Sequence, residues 1–176
     1  MKPKERIEAV LQGKEPDMVP ISHISISSRI ASRILGREAY VGGGINQWRE
    51  AVALWKGKDA HAEFVERTRK DAIDIGIALD HDLIRPSYWR DSRVPSERID
   101  EYTFRYETEG GRFWEVKRLD PVTELYNTVD RSPSPELTLD DLESVVESRE
   151  EHAEEWNPTE EDFADVAFAL EEVGEE

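Results

Sequence analysis

The sequence predicts an α/β chain with parallel strands and an inserted antiparallel hairpin or meander. Three observations carry that expectation. Two short apolar runs, at 18–26 and 82–85, each adjoin helical patterns, and repeated strand-then-helix steps favour parallel strands. Residues 100–130 alternate apolar and polar side chains around Gly110-Gly111, the pattern of antiparallel strands. The remaining stretches carry apolar residues at helical spacing.

Residues 3–13 open the chain as a helix, with Ile7, Val10 and Leu11 on one face, Pro3 in the first turn and Gly13 at the exit. Lys14-Glu15-Pro16-Asp17 is a turn. Met18–Ile26 is apolar rather than alternating, which suits a strand buried on both faces. Residues 28–35 form a short helix stopped by Gly36, and Gly42-Gly43-Gly44 is a break. Two helices follow, over 45–56 and 59–79, the second with Asp59 as N-cap. Asp82–Arg85 reads as a short strand ended by Pro86. Tyr102, Phe104 and Tyr106 alternate, Trp114 and Val116 return, and Leu125–Val129 adds a third strand. Ser132-Pro133-Ser134-Pro135 ends it, then Thr138 and Thr159 each cap a helix. The chain reads as one domain that stops in mid-fold: helix and turn at 1–17, strand–helix units at 18–99, a hairpin insertion at 100–131, and acidic helices at 136–176.

The chain has 176 residues, of which 38% are hydrophobic and 36% charged. It has no cysteine, which excludes disulfides, thiolate metal ligands and a cysteine nucleophile, and agrees with a cytoplasmic location. The net charge of −17 is uneven. Residues 136–176 hold 17 acids and one base, Arg149, whereas residues 1–135 hold 23 acids and 22 bases. Such a tail repels phosphate backbones, so no nucleic-acid partner is expected. No apolar run reaches the roughly 20 residues that span a membrane, so no membrane partner is expected either.

The opening run KPKERIEAVLQGKEPDMVPIS resembles the N-terminus of the uroporphyrinogen decarboxylase superfamily through Pro3, Glu5, Arg6, Ala9, Val10, Leu11, Gly13, Glu15, Pro16, Asp17, Val19 and Pro20. The run SSRIASRILGREAYVGGG and the helical stretch into ALDHDLIRP look like methyltransferase-like members of that superfamily. The resemblance covers residues 1–130. It implies a (β/α)8 barrel whose N-terminal helix closes the bottom and whose active site lies past the strand C-termini. Since eight units need about 250 residues, the chain is expected to be a partial barrel, the N-terminal fragment of such an enzyme, and inactive alone.

Two chemistries follow from the resemblance. Decarboxylases of the superfamily remove carboxyls from a tetrapyrrole without metal or cofactor, using arginines past strand one and an aspartate near strand two. The methyltransferases move a methyl group between a corrinoid and a thiol activated by zinc. By position, Arg29 and Arg33 are the candidate carboxylate clamps, although the decarboxylase arginine signature is replaced by HISISSRIASR. Asp82 in Asp80-His81-Asp82 is the candidate strand-two aspartate, with Arg85 and Tyr88 past it at the catalytic end, and His23 in strand one is a third catalytic candidate. Each has a plainer reading: Arg29 and Arg33 as solvated helix residues, Asp80-His81-Asp82 as a polar turn, His23 as a hydrogen-bonded core histidine. His61 and His152 read as surface helix residues, and Gly42-Gly43-Gly44 as a flexible loop over the barrel mouth. Trp89, Trp114 and Tyr102 either wall a flat ligand or pack the hairpin. Without cysteine the chain cannot carry the complete thiolate zinc site, so no cofactor is expected in it; corrinoid and zinc belong to the full-length methyltransferase-like branch. The substrate class is a small molecule, tetrapyrrole or methyl donor, and open sheet edges invite self-association. The alternative is a non-enzymatic small α+β protein whose sheet is the 100–130 hairpin and whose acidic helices bind a basic partner.

Overall fold

The computed structural model describes residues 1–88, 90–91, 93–133, 138–154 and 157–174, with backbone alone for Glu109 and 151–154. Trp89, Ser134-Pro135, the His152 side chain and the final Glu175-Glu176 therefore lie outside the described residues. Helix α1 spans Pro3–Leu11 and α2 spans Ser28–Leu35. The latter starts where the Ser27 hydroxyl accepts the Arg29 amide at 3.2 Å and stops at Gly36, whose φ of 68° is the left-handed turn a glycine permits. Helices α3, Gly44–Lys56, and α4, Lys58–Ala78, meet at Gly57, which takes the capping position expected for Asp59. Four strands follow: β1 Glu97–Arg98, β2 Thr103–Glu107, β3 Trp114–Asp120 and β4 Leu125–Arg131. Helix α5 covers Leu139–Glu154, and a 3-10 turn at Glu160–Phe163 leads into α6, Ala164–Val173.

The strands form one open antiparallel sheet in the order β1-β2-β3-β4. Its inner face carries Phe104, Tyr106, Leu119 and Tyr126, and Ala51 of α3 completes that core, with Ile45, Trp48, Val52 and Tyr102 at its margin. Gly44 is required at the contact, because a Cβ there would lie 2.7 Å from the Glu124 carbonyl. A second core joins Ala31 of α2, Ala39, Val41, Ala72 and Ile75 of α4, and Tyr88.

The α/β expectation, with its parallel partial (β/α)8 barrel, is overturned here. All strand pairs of the described sheet are antiparallel, and the sheet does not close. Residues 18–26 and 82–85 are not strands. They do run side by side in the same direction: the Asp82 amide donates to the Ile21 carbonyl at 2.9 Å. The other backbone groups that a ladder would use are taken by side chains. The Asp82 carboxylate accepts the Ile21 amide at 2.8 Å, the Ser22 hydroxyl donates to the Leu83 carbonyl at 2.9 Å, and the Arg85 guanidinium donates to the Ile24 carbonyl. Side-chain hydrogen bonds of this kind compete with regular pairing. Nor is the run buried on both faces: Val19 is 80% and Ile24 86% exposed.

Candidate functional site

The paired segments bring four of the six sequence-predicted site residues into one neighbourhood. His23 lies on the first segment; Asp82 and Arg85 lie on the second, with Tyr88 just beyond. His23 Nδ1 is 2.9 Å from Nδ1 of His81, and His23 Nε2 is 2.5 Å from the Tyr88 hydroxyl. The three rings therefore form one hydrogen-bonded chain. Two directions are open to it. Tyr88 donates to His23 Nε2 while His23 Nδ1–H donates to His81, or each hydrogen bond reverses. Two hops, Tyr88 to His23 and His23 to His81, convert one arrangement into the other as a proton enters at the Tyr88 end and leaves at the His81 end, which is the pattern of a proton relay.

Local charge sets the resting state. Burial, then His81 and Arg85, pulls the His23 pKa below its ordinary 6.5. Burial pushes the Tyr88 phenol up to about 12. Both groups are thus neutral near pH 7, the state in which His23 both accepts and donates. The Arg85 guanidinium stands 5.4 Å from the Tyr88 ring centroid, held by the carbonyls of Ile24 and Ser87.

Asp82 has a positioning place. Its side chain is 2% exposed and accepts from Arg6 Nη1 at 2.8 Å and from the Ile21 amide. The Arg6 guanidinium and then that amide hold its carboxyl below the usual carboxylate range. Arg6 also binds Asp17 at 2.7 Å, so two residues of the opening motif anchor the loop that carries His81. The two predicted clamps stand elsewhere. Arg29 donates to the Pro121 and Val122 carbonyls at 3.2 Å, latching the β3–β4 turn. Arg33 is exposed and makes no ion pair among the described residues.

His81 is the residue that reading single positions missed; its signal was the Asp80-His81-Asp82 cluster, which held it without singling it out. His81 also lines a cavity of about 580 Å³ with Lys2, Asp80 and the apolar side chains of Ile77, Leu83, Val166 and Leu170. That size is ordinary for a small-molecule site. His61, expected on the surface, is bound to buried Glu50 at 3.0 Å. Trp114 and Tyr102 do not share a wall: Trp114 borders a second cavity of about 520 Å³ with Tyr106 and Phe113, and Tyr102 packs on Trp48. Gly42 is packed rather than free, since a Cβ there would lie 3.1 Å from the Ile26 carbonyl.

The donor set does not fit the zinc of the methyltransferase-like branch. The two histidine Nδ1 atoms face each other, the chain has no cysteine, and no group of three potential ligands occurs among the described residues. Among the described residues, no helix is long and apolar enough to cross a membrane. No protein-family model matches the chain, and no match was found among curated proteins or solved structures.

Proposed function

We propose that the chain binds a carboxylate-bearing, largely apolar small molecule in the cavity beside His81, and that His81, His23 and Tyr88 relay a proton to it. The carrying observation is the unbroken hydrogen-bonded chain from the cavity wall to a buried phenol. The resemblance to uroporphyrinogen decarboxylases supports the choice of reaction. In decarboxylation the bond to the carboxyl carbon breaks, its electron pair stays on the substrate carbon, carbon dioxide leaves, and that carbon takes one proton. His81 supplies the proton at the cavity as His23 passes one to it and takes the Tyr88 hydroxyl proton. Water entering the open cavity then returns one proton along the same chain in reverse, so that Tyr88 ends neutral. On a wall that also carries Lys2, Asp80 and Asp82, His81 is the group that donates to a substrate carboxylate, and the apolar side chains cover the remainder.

The experiment is a fluorescence titration with uroporphyrin, a stable carboxylated tetrapyrrole, on the wild type and His81→Ala, followed by carbon dioxide release from the reduced porphyrinogen. Binding weakened at least tenfold by His81→Ala is expected. No binding to the wild type would overturn the substrate class. Binding with no carbon dioxide release would leave a carrier in place of an enzyme.

One observation favours the second reading, a partner-binding protein. Every described side chain of α5 is exposed, and its apolar residues Leu139, Leu142, Val145 and Val146 meet water. A helix with that stripe and a carboxylate-rich remainder is built to be covered.

A further inference from the structure

Two helices of this chain expose faces that complement each other. On α2, Ile30 and Ile34 are exposed one turn apart, and Arg29 and Arg33 stand one residue before each. The helix carries no acid. On α5, Leu142 and Val146 are exposed one turn apart, and Glu143 and Glu147 stand one residue after each. With Leu139 these four line a shallow groove of about 350 Å³. Within one chain the two faces do not meet, because both rows of apolar residues are open to solvent. Arg33 makes no ion pair among the described residues, and Arg29 remains 56% exposed despite its contacts to the β3–β4 turn.

We infer that α5 of one copy lies along α2 of a second copy, with the two helices parallel. This rests on the partner-binding reading of α5 and names its partner. Direction follows from helix handedness. Rows one residue apart are offset by about 100° in the same rotational sense on every right-handed helix. When two parallel helices face each other, the isoleucine row of α2 meets the Leu142–Val146 row, and the arginine row meets the glutamate row. Running antiparallel reverses the order and sets the arginine row on Asp141 and Val145, which offer one carboxylate, already accepting from Thr138, in place of two. The matching register pairs Arg29 with Glu143 and Arg33 with Glu147. A two-fold axis forms the same contact twice, which closes the assembly as a dimer.

Sedimentation velocity across a concentration series is the test. A dimer is expected at low salt, weakening as salt screens the exposed pairs. Arg33→Glu or Glu147→Arg should each raise the dissociation constant at least tenfold, and the two combined in one chain should restore it. Both positions are exposed, and circular dichroism checks that each variant folds. Because the chain has no cysteine, Ile34→Cys mixed with Val146→Cys should cross-link faster than Ile34→Cys mixed with Leu142→Cys. A dimer indifferent to both charge reversals, or the opposite cross-linking order, overturns the arrangement. A monomer at all concentrations overturns self-pairing; the rate at which Val146→Cys takes a soluble thiol reagent then separates the two failures. A fast-reacting thiol leaves the α5 face open to another partner, whereas a slow one means it is covered within its own chain and sinks the partner-binding reading as well.

Discussion

The sheet at 97–131 and the irregular paired segments 21–24 and 82–85 both set stretches of backbone side by side, yet they satisfy their polar groups in opposite ways. In the sheet, successive strands exchange backbone hydrogen bonds through a continuous register, with one irregularity between Val116 and Lys117. Side chains are then free to pack, and Phe104 and Tyr106 fill the core against α3. In the paired segments, Asp82, Ser22 and Arg85 spend their side chains on the neighbouring backbone. What remains there is a cluster of polar and titratable groups over an exposed apolar rim. The first arrangement buries apolar side chains, and the second leaves titratable ones in contact with each other.

The difference can be broken most severely at its stable end. Phe104→Ala removes a fully buried ring and should cost about 3–5 kcal/mol in a denaturant titration. Gly44→Ala forces α3 off β4 and should cost about 1–3 kcal/mol by the same measurement. In the paired segments, Tyr88→Phe leaves His23 Nε2 without its hydroxyl partner and should cost about 1–3 kcal/mol, while a nitrogen-15 spectrum shows His23 changing its tautomer balance.

A pH experiment sharpens the contrast further. His23 has a folded pKa below its ordinary 6.5, so between those two values the unfolded chain binds more protons. The His23 contribution is fully present above pH 6.5 and is lost as pH falls from there through the folded pKa. The stability of His23→Gln should lack that decline, and an unchanged slope would mean that folding does not lower the His23 pKa. The smallest effect belongs to Ile24→Ser. A strand buried on both faces would lose about 2–4 kcal/mol, but a side chain 86% exposed should change stability by less than about 0.5 kcal/mol.

Helix positions were legible where an amphipathic stripe coincided with a stop signal. Residues 28–35 carry both, and Gly36 ends them as its left-handed φ requires. The alternation of Tyr102, Phe104 and Tyr106 likewise marked the sheet, with Phe104 and Tyr106 on its buried face. The run at 18–26 misled because apolar composition reports a wish for burial and not its fulfilment. Nothing local says that the Asp82, Ser22 and Arg85 side chains would occupy the backbone that a ladder needs. At the site, His23, Asp82, Arg85 and Tyr88 were assigned by position along the chain just as Arg29 was; the fold gathers the first four, whereas Arg29 donates to the Pro121 and Val122 carbonyls.

The sequence by itself determined the local events: where helices start and stop, where strands alternate, that no thiolate chemistry is available, and that acid accumulates after residue 135. These depend on near neighbours and on composition. Only the tertiary structure decided that His23 meets His81 across 58 positions and Tyr88 across 65, that Arg6 and Asp82 join across 76, and that Arg29 reaches the carbonyls of Pro121 and Val122. Those outcomes depend on which distant groups compete for the same donors and acceptors, a contest settled only once the whole chain has folded.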